Sequence, residues 1–158
     1  MIRAGRLDRS LYNELLYDDY ATGNAVLVVA LVYAFPVAAA VFTGDAGILQ
    51  VIAVGLNGII RWLLVSLAFW AMATKVFERD GRVPTAVRLT GFAHVAFIPW
   101  AMAIFIPAAQ GWLLLASLAW FFAGLTAIAR VLFDLDQQQA LATSAVGVAA
   151  WWVLVVVL

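Results

Sequence analysis

Five apolar runs separated by polar gaps organise this chain. The first is Asn24–Phe42, followed by the short gap Thr43–Gly47; the second extends from Ile48 to about Phe77, and the third from Pro84 to Ile106. The fourth covers Trp112–Phe133 and the fifth Ala140–Leu158. Each reaches the roughly 20 residues that a helix needs to cross a hydrocarbon core. The pattern predicts an all-α integral membrane protein: a five-transmembrane-helix bundle over residues 24–158, preceded by a distinct segment over residues 1–23.

That leading segment is too polar at its start for a cleaved signal peptide, whose apolar stretch comes sooner. Leu7, Leu11 and Leu15 recur at helical spacing with Tyr12 and Leu16 beside them, while Asp8, Glu14, Asp18 and Asp19 take other positions. The spacing predicts a short amphipathic helix lying in the headgroup region. Docking on a partner would use the same stripe; the membrane surface is the preferred reading.

Charge adds an orientation. Arg3, Arg6 and Arg9 precede the first run; Lys75, Arg79, Arg82 and Arg88 surround the second gap; Arg130 edges the fourth gap. The first and third gaps hold no Lys or Arg, and Asp45 is the only charge there. Cytoplasmic loops carry the basic excess in membrane proteins, so the N-terminus is expected inside and the C-terminus outside.

Composition fits this class: 66% of the 158 residues are hydrophobic, 11% are charged, and mean hydropathy is +1.03. A soluble domain of this size could not cover so much apolar surface. Net charge is zero, so no nucleic-acid partner is expected, and the absence of cysteine removes disulfides, thiolate metal sites and cysteine nucleophiles. The expected surroundings are the lipid bilayer, the cytoplasmic (inner) membrane if the source is prokaryotic.

Arg61 stands apart from the other basic residues because it lies inside the second run. A charge in mid-bilayer is costly unless paired or hydrated, which makes it a functional candidate, and Asn57 one turn earlier shares its face. The bland reading competes. Gly47–Phe77 is 31 residues, about 46 Å as helix against a core of roughly 30 Å. If the span begins near Gly58, Ile48–Leu56 becomes an outer interfacial segment and Arg61 snorkels beside Trp62. That second placement is preferred on sequence.

His94 is the only histidine. A haem would have one axial ligand here and would need a partner chain for a second. Pro99 removes an N–H and leaves the Val95 carbonyl unpaired, so the preferred role for His94 is a structural hydrogen bond to a freed carbonyl or across helices. Pro36 and Pro99 sit in faintly similar surroundings, weak support for a parallel repeat. Asp134, Asp136 and the three glutamines after them read as a solvated turn and helix cap, with Arg130 snorkelling inward or pairing with Asp134. Pro84 opens the third helix. Ala119, Ala123 and Ala127 recur every fourth residue, a spacing that lets membrane helices approach closely.

The lead-in "LDRSLYNELLYDDYATGNA", the basic gap running into "TAVRLTGFAHVAFIP", and "AIARVLFDLDQQQALATSAV" after the fourth run together resemble the small prokaryotic members of the Yip (Ypt-interacting protein) membrane-domain family. The resemblance covers nearly the whole chain. Gly91, Phe92, Ala93 and Pro99 match the family's third span, and Arg130, Asp134 and Ala140 match the end of its fourth and the start of its fifth. It implies a five-helix bundle with a cytosolic N-terminus. Eukaryotic relatives bind small GTPases, but the longer cytosolic region with an acidic-glycine-proline motif is absent here, so GTPase binding is not expected.

No nucleophile–base pair, phosphate-cradling loop or metal-ligand spacing stands in the sequence; Ser66, Ser117 and Ser144 lack a base at motif distance. The expectation is a non-catalytic protein without catalytic residues, cofactor or metal, acting as an accessory or scaffold subunit or assembly factor of a membrane complex. Its partners would be other membrane subunits or further copies of itself. The alternative is a small transporter or ion or proton conduit using Arg61, Asn57 and His94.

Overall fold

The computed structural model describes residues 21–42 and 47–157, and these form helices and turns without a strand. The amphipathic helix expected over residues 1–23 lies outside the described residues except for 21–23, which open the first helix. Helix α1 is Ala21–Phe42 and continues past Pro36 without a break. Helix α2 is Ile48–Ala71 and continues without a break into the π turn Met72–Val76. Helix α3, Val83–Ala93, starts with proline in its first turn, where the missing N–H has no intrahelical partner to lose.

After α3 the chain tightens into the 3₁₀ turn His94–Phe97, resumes as α4, Ile98–Met102, and passes through two more 3₁₀ turns to Ala109. Helix α5 is Gln110–Leu132 and α6 is Gln137–Val157. Three helical stretches are long and apolar enough to cross a membrane: Ala21–Ala38, Ile48–Val76 and Pro107–Leu132. The third apolar run is not one regular α-helix: the 3₁₀ turns His94–Phe97 and Ala103–Phe105 interrupt it.

Helix α6 packs on α2 and α5, while α1 packs on α2 and α3. Small residues set these crossings. A Cβ on Gly58 would come within 2.5 Å of the Tyr33 ring, and one on Gly91 within 2.8 Å of the Ala25 Cβ. Polar stitches run along the same seams. Ser66 Oγ and Thr90 Oγ1 lie 2.6 Å apart, Trp62 Nε1 donates to the Val87 carbonyl at 3.0 Å, and Thr126 Oγ1 donates to Ser144 Oγ at 3.1 Å. In an apolar solvent, close packing and such bonds must hold helices together, since burial of apolar surface then supplies little.

The turns differ from expectation in detail. Glu78 (φ 52°) and Asp134 (φ 49°) both adopt the left-handed conformation that ends a helix, without glycine. Asp136 caps α6: its Oδ1 accepts the Gln139 N–H at 2.9 Å. Arg130 does not take Asp134 as its hydrogen-bond partner. Its Nη1 donates to Gln137 Oε1 at 3.3 Å, because the left-handed turn separates Asp134 from the helix that carries Arg130.

Candidate functional site

One face of α2 carries Gln50, Ala53, Val54, Asn57 and Arg61, spaced so that a helix aligns them in a single stripe. That stripe forms one wall of a cavity of about 340 Å³, completed by Tyr33 and Pro36 of α1 and Trp100 of α4. From Gln50 to Arg61 the wall is about 16 Å long, and Arg61 is about 20 Å along the helix from Ile48. The opposite side of α2 is apolar and exposed, with Leu56, Ile59, Leu63 and Leu67 turned outward. Arg61 therefore faces the bundle.

The guanidinium sits over the Trp151 ring of α6, 5.5 Å from its centroid. That distance is within the range where a cation is attracted by the electron-rich face of an indole. The ring beside Arg61 is that of Trp151, not Trp62. Helix α2 continues unbroken through Gly58, and Trp62 is buried with its indole N–H on the Val87 carbonyl of α3.

Behind Trp151 the aromatic packing continues inward. Trp151 stacks on Phe97 (4.9 Å between centroids, 13° between planes), Phe97 meets Phe121 at 4.9 Å, and Phe121 meets His94 edge-on at 5.0 Å. His94 is 0% exposed. None of the described cavities is lined by it. The two groups grouped with Arg61 by sequence are thus separated: Asn57 shares the cavity, and His94 lies on the far side of a wall of rings.

The local cause of the histidine's bond is the 3₁₀ turn. The His94 backbone N–H reaches back to the Gly91 carbonyl, which leaves the Thr90 carbonyl to the His94 side chain. Nδ1 lies 2.9 Å from that oxygen, and since a carbonyl only accepts, Nδ1 carries the proton. The carbonyl bonded is therefore Thr90, not one freed by Pro99. Val95, expected to be left unpaired, has its carbonyl taken by the Ile98 N–H within the 3₁₀ turn. His94 Nε2 is buried without a hydrogen bond among the described residues, as is Ser117 Oγ on the neighbouring α5.

Gln50, Tyr33, Trp100 and Trp151 belong to the site but were not singled out from sequence. Gln50 was findable, since it continues the Asn57–Arg61 face by two further turns. The other three arrive through tertiary packing, which spacing does not encode. Arg88, grouped by sequence with the inner loop charges, is in fact only 5% exposed, with Nε donating to Thr22 Oγ1 of α1 at 3.1 Å. Ala119 is exposed while Ala123 and Ala127 are half-buried, and the small residue of that stretch buried in the bundle is Gly124.

No group of three or more metal-ligating side chains occurs among the described residues. The cavity holds one cation, two amides and a phenol, a donor-rich set suited to gripping an anion. It offers neither a nucleophile with a base nor a path through the rings to His94.

Fold and cavity together define a protein whose described residues are helices and turns, with three helices long and apolar enough to cross a membrane and a polar pocket lined by two of them. Set against protein-family models, curated proteins and solved structures, the chain matches none.

Proposed function

We propose that this chain is a five-span, non-catalytic membrane protein whose working part is the Arg61 cavity, and that the cavity binds an anionic group within the bilayer. The N-terminus and the gap around Arg79 and Arg82 lie on the cytoplasmic side in this reading, as the basic residues and the Yip resemblance both imply. The supporting observation is the position of Arg61. It stands in the middle of the longest apolar helix, turned toward the bundle, with Asn57 and Gln50 on the same wall. A charge there is expensive and is retained where it has work to do. Its planar fork suits the oxygens of a phosphate or carboxylate.

The test is thermal unfolding of the purified protein with either of two anionic probes, sn-glycerol 3-phosphate or phosphatidylglycerol. A ligand that binds only the folded state raises the unfolding temperature by mass action. At least one probe should raise it in the natural protein and fail to do so in Arg61→Leu, while Arg61→Lys keeps part of the effect. If neither probe produces a shift that depends on Arg61, the reading is wrong.

A second reading, an accessory subunit that pairs with another membrane protein, is favoured by one observation. The Ala119 edge of α5 is exposed and small, and the bundle's own packing does not use it. Ala119→Leu should then dissociate a co-purifying partner without lowering the unfolding temperature. Retention of the partner would count against this face.

A further inference from the structure

A second cavity adjoins the first, and the two differ in chemistry. It occupies about 260 Å³ between α1 and α2, and its wall is almost wholly apolar: Val29, Val37, Val51, Gly55 and Ile59 are among its residues. Val26 and Ile59 on its rim are both exposed, so it opens sideways from the bundle. Tyr33, whose ring packs against Gly58, lines both cavities. The helix face of Gln50, Asn57 and Arg61 is thus one side of α2, and a lateral apolar cleft is the side next to it.

We infer that the two cavities together form a site for one anionic membrane lipid, its charged headgroup drawn along the Gln50–Arg61 wall and a stretch of one acyl chain lying in the α1–α2 cleft. This rests on the anion-binding reading and adds the source of the anion. Three features carry it. The charge is opposite to a phosphodiester and backed by amide donors, which a guanidinium and two carboxamides can grip through oxygen atoms. The cleft is apolar and opens to the side, where a chain enters from the bilayer and a water-soluble anion gains nothing. Its size is slightly below the roughly 300–1,000 Å³ of pockets that enclose a small ligand, so it takes part of a chain with the rest left among other lipids. Gly55 keeps it open: a Cβ there meets nothing within 4 Å.

Native mass spectrometry of the full chain in mild detergent, titrated with phosphatidylglycerol, phosphatidylcholine or sn-glycerol 3-phosphate, tests this. Phosphatidylglycerol should add one molecule saturably, about tenfold or more tighter than phosphatidylcholine, a difference of about 1.4 kcal/mol. Arg61→Gln should erase that preference. Gly55→Leu, which fills the cleft and leaves Arg61 in place, should weaken phosphatidylglycerol binding by a similar factor, and this arm stands even if Arg61→Gln does not fold. Glycerol phosphate should not displace the lipid at equal concentration. Displacement by glycerol phosphate, or undiminished lipid binding in Gly55→Leu, would sink the chain site and leave anion binding intact. Equal binding of both lipids by the natural protein would overturn the anion reading as well.

Discussion

His94 is held through Nδ1 by the Thr90 carbonyl and packs its ring against Phe97 and Phe121. A lone histidine near a proline invites a structural hydrogen bond, and it makes one. The partner was not legible, because it depends on the backbone switching from α to 3₁₀ geometry one turn before Pro99. Asp134 makes the complementary point. Its acidic neighbourhood suggested an ion pair, whereas its backbone, at φ 49°, serves to end α5. Left-handed residues with a Cβ cost about 1–2 kcal/mol, glycine being exempt and aspartate or asparagine tolerated. Asp134→Val should therefore lower stability by about that amount, and Asp134→Gly should hold or raise it, measured by thermal unfolding in detergent. Equal stability of the two variants would show that the turn relaxes.

At the scale of elements, the apolar runs were the most legible part of the chain. Four helix starts are marked by the sequence within a few residues, and Asp136 and Pro84 stand where a cap and a first-turn proline belong. Two features were hidden. The π turn at Met72–Val76 and the 3₁₀ turns around Pro99 are decided by how the helix ends pack, not by periodicity. The crossing of α1 and α2 was hidden too, since Gly58 reads simply as a glycine until the Tyr33 ring is seen against it. Gly58→Leu should force that ring aside and destabilise the bundle by about 1–3 kcal/mol, the usual range for overpacking. Gly55→Leu, one turn earlier, should be tolerated because its side chain meets open space. Similar unfolding temperatures for the two variants would contradict the assigned α1–α2 contact.

For the whole molecule, the decisive asymmetry is between the two sides of α2. One side presents only apolar residues outward, as a helix facing lipid does; the other carries Gln50, Asn57 and Arg61 into a cavity closed by Tyr33 and Trp100. Sequence supplied Arg61 and Asn57 and the length of the helix that holds them. It favoured an interfacial placement because 31 residues exceed one bilayer crossing, an argument about length that says nothing about which way a residue turns. Direction came from the α6 ring beneath the guanidinium and from the cavity in front of it. His94, on the other side of the Phe97–Phe121–Trp151 packing, has no share in this arrangement.

The absence of cysteine makes the central claim directly measurable. In membranes holding the single variants Asn57→Cys and Leu56→Cys, the rate of reaction with a small, charged, water-soluble thiol reagent reports whether each position meets water. Both positions stand at nearly the same depth on one helix, so depth alone cannot separate them. The account predicts rapid modification at position 57, inside the polar cavity, and almost none at position 56, on the apolar outward side. Equal inertness of the two would mean that Arg61 faces no water-reachable site, and the proposed function would fall with it.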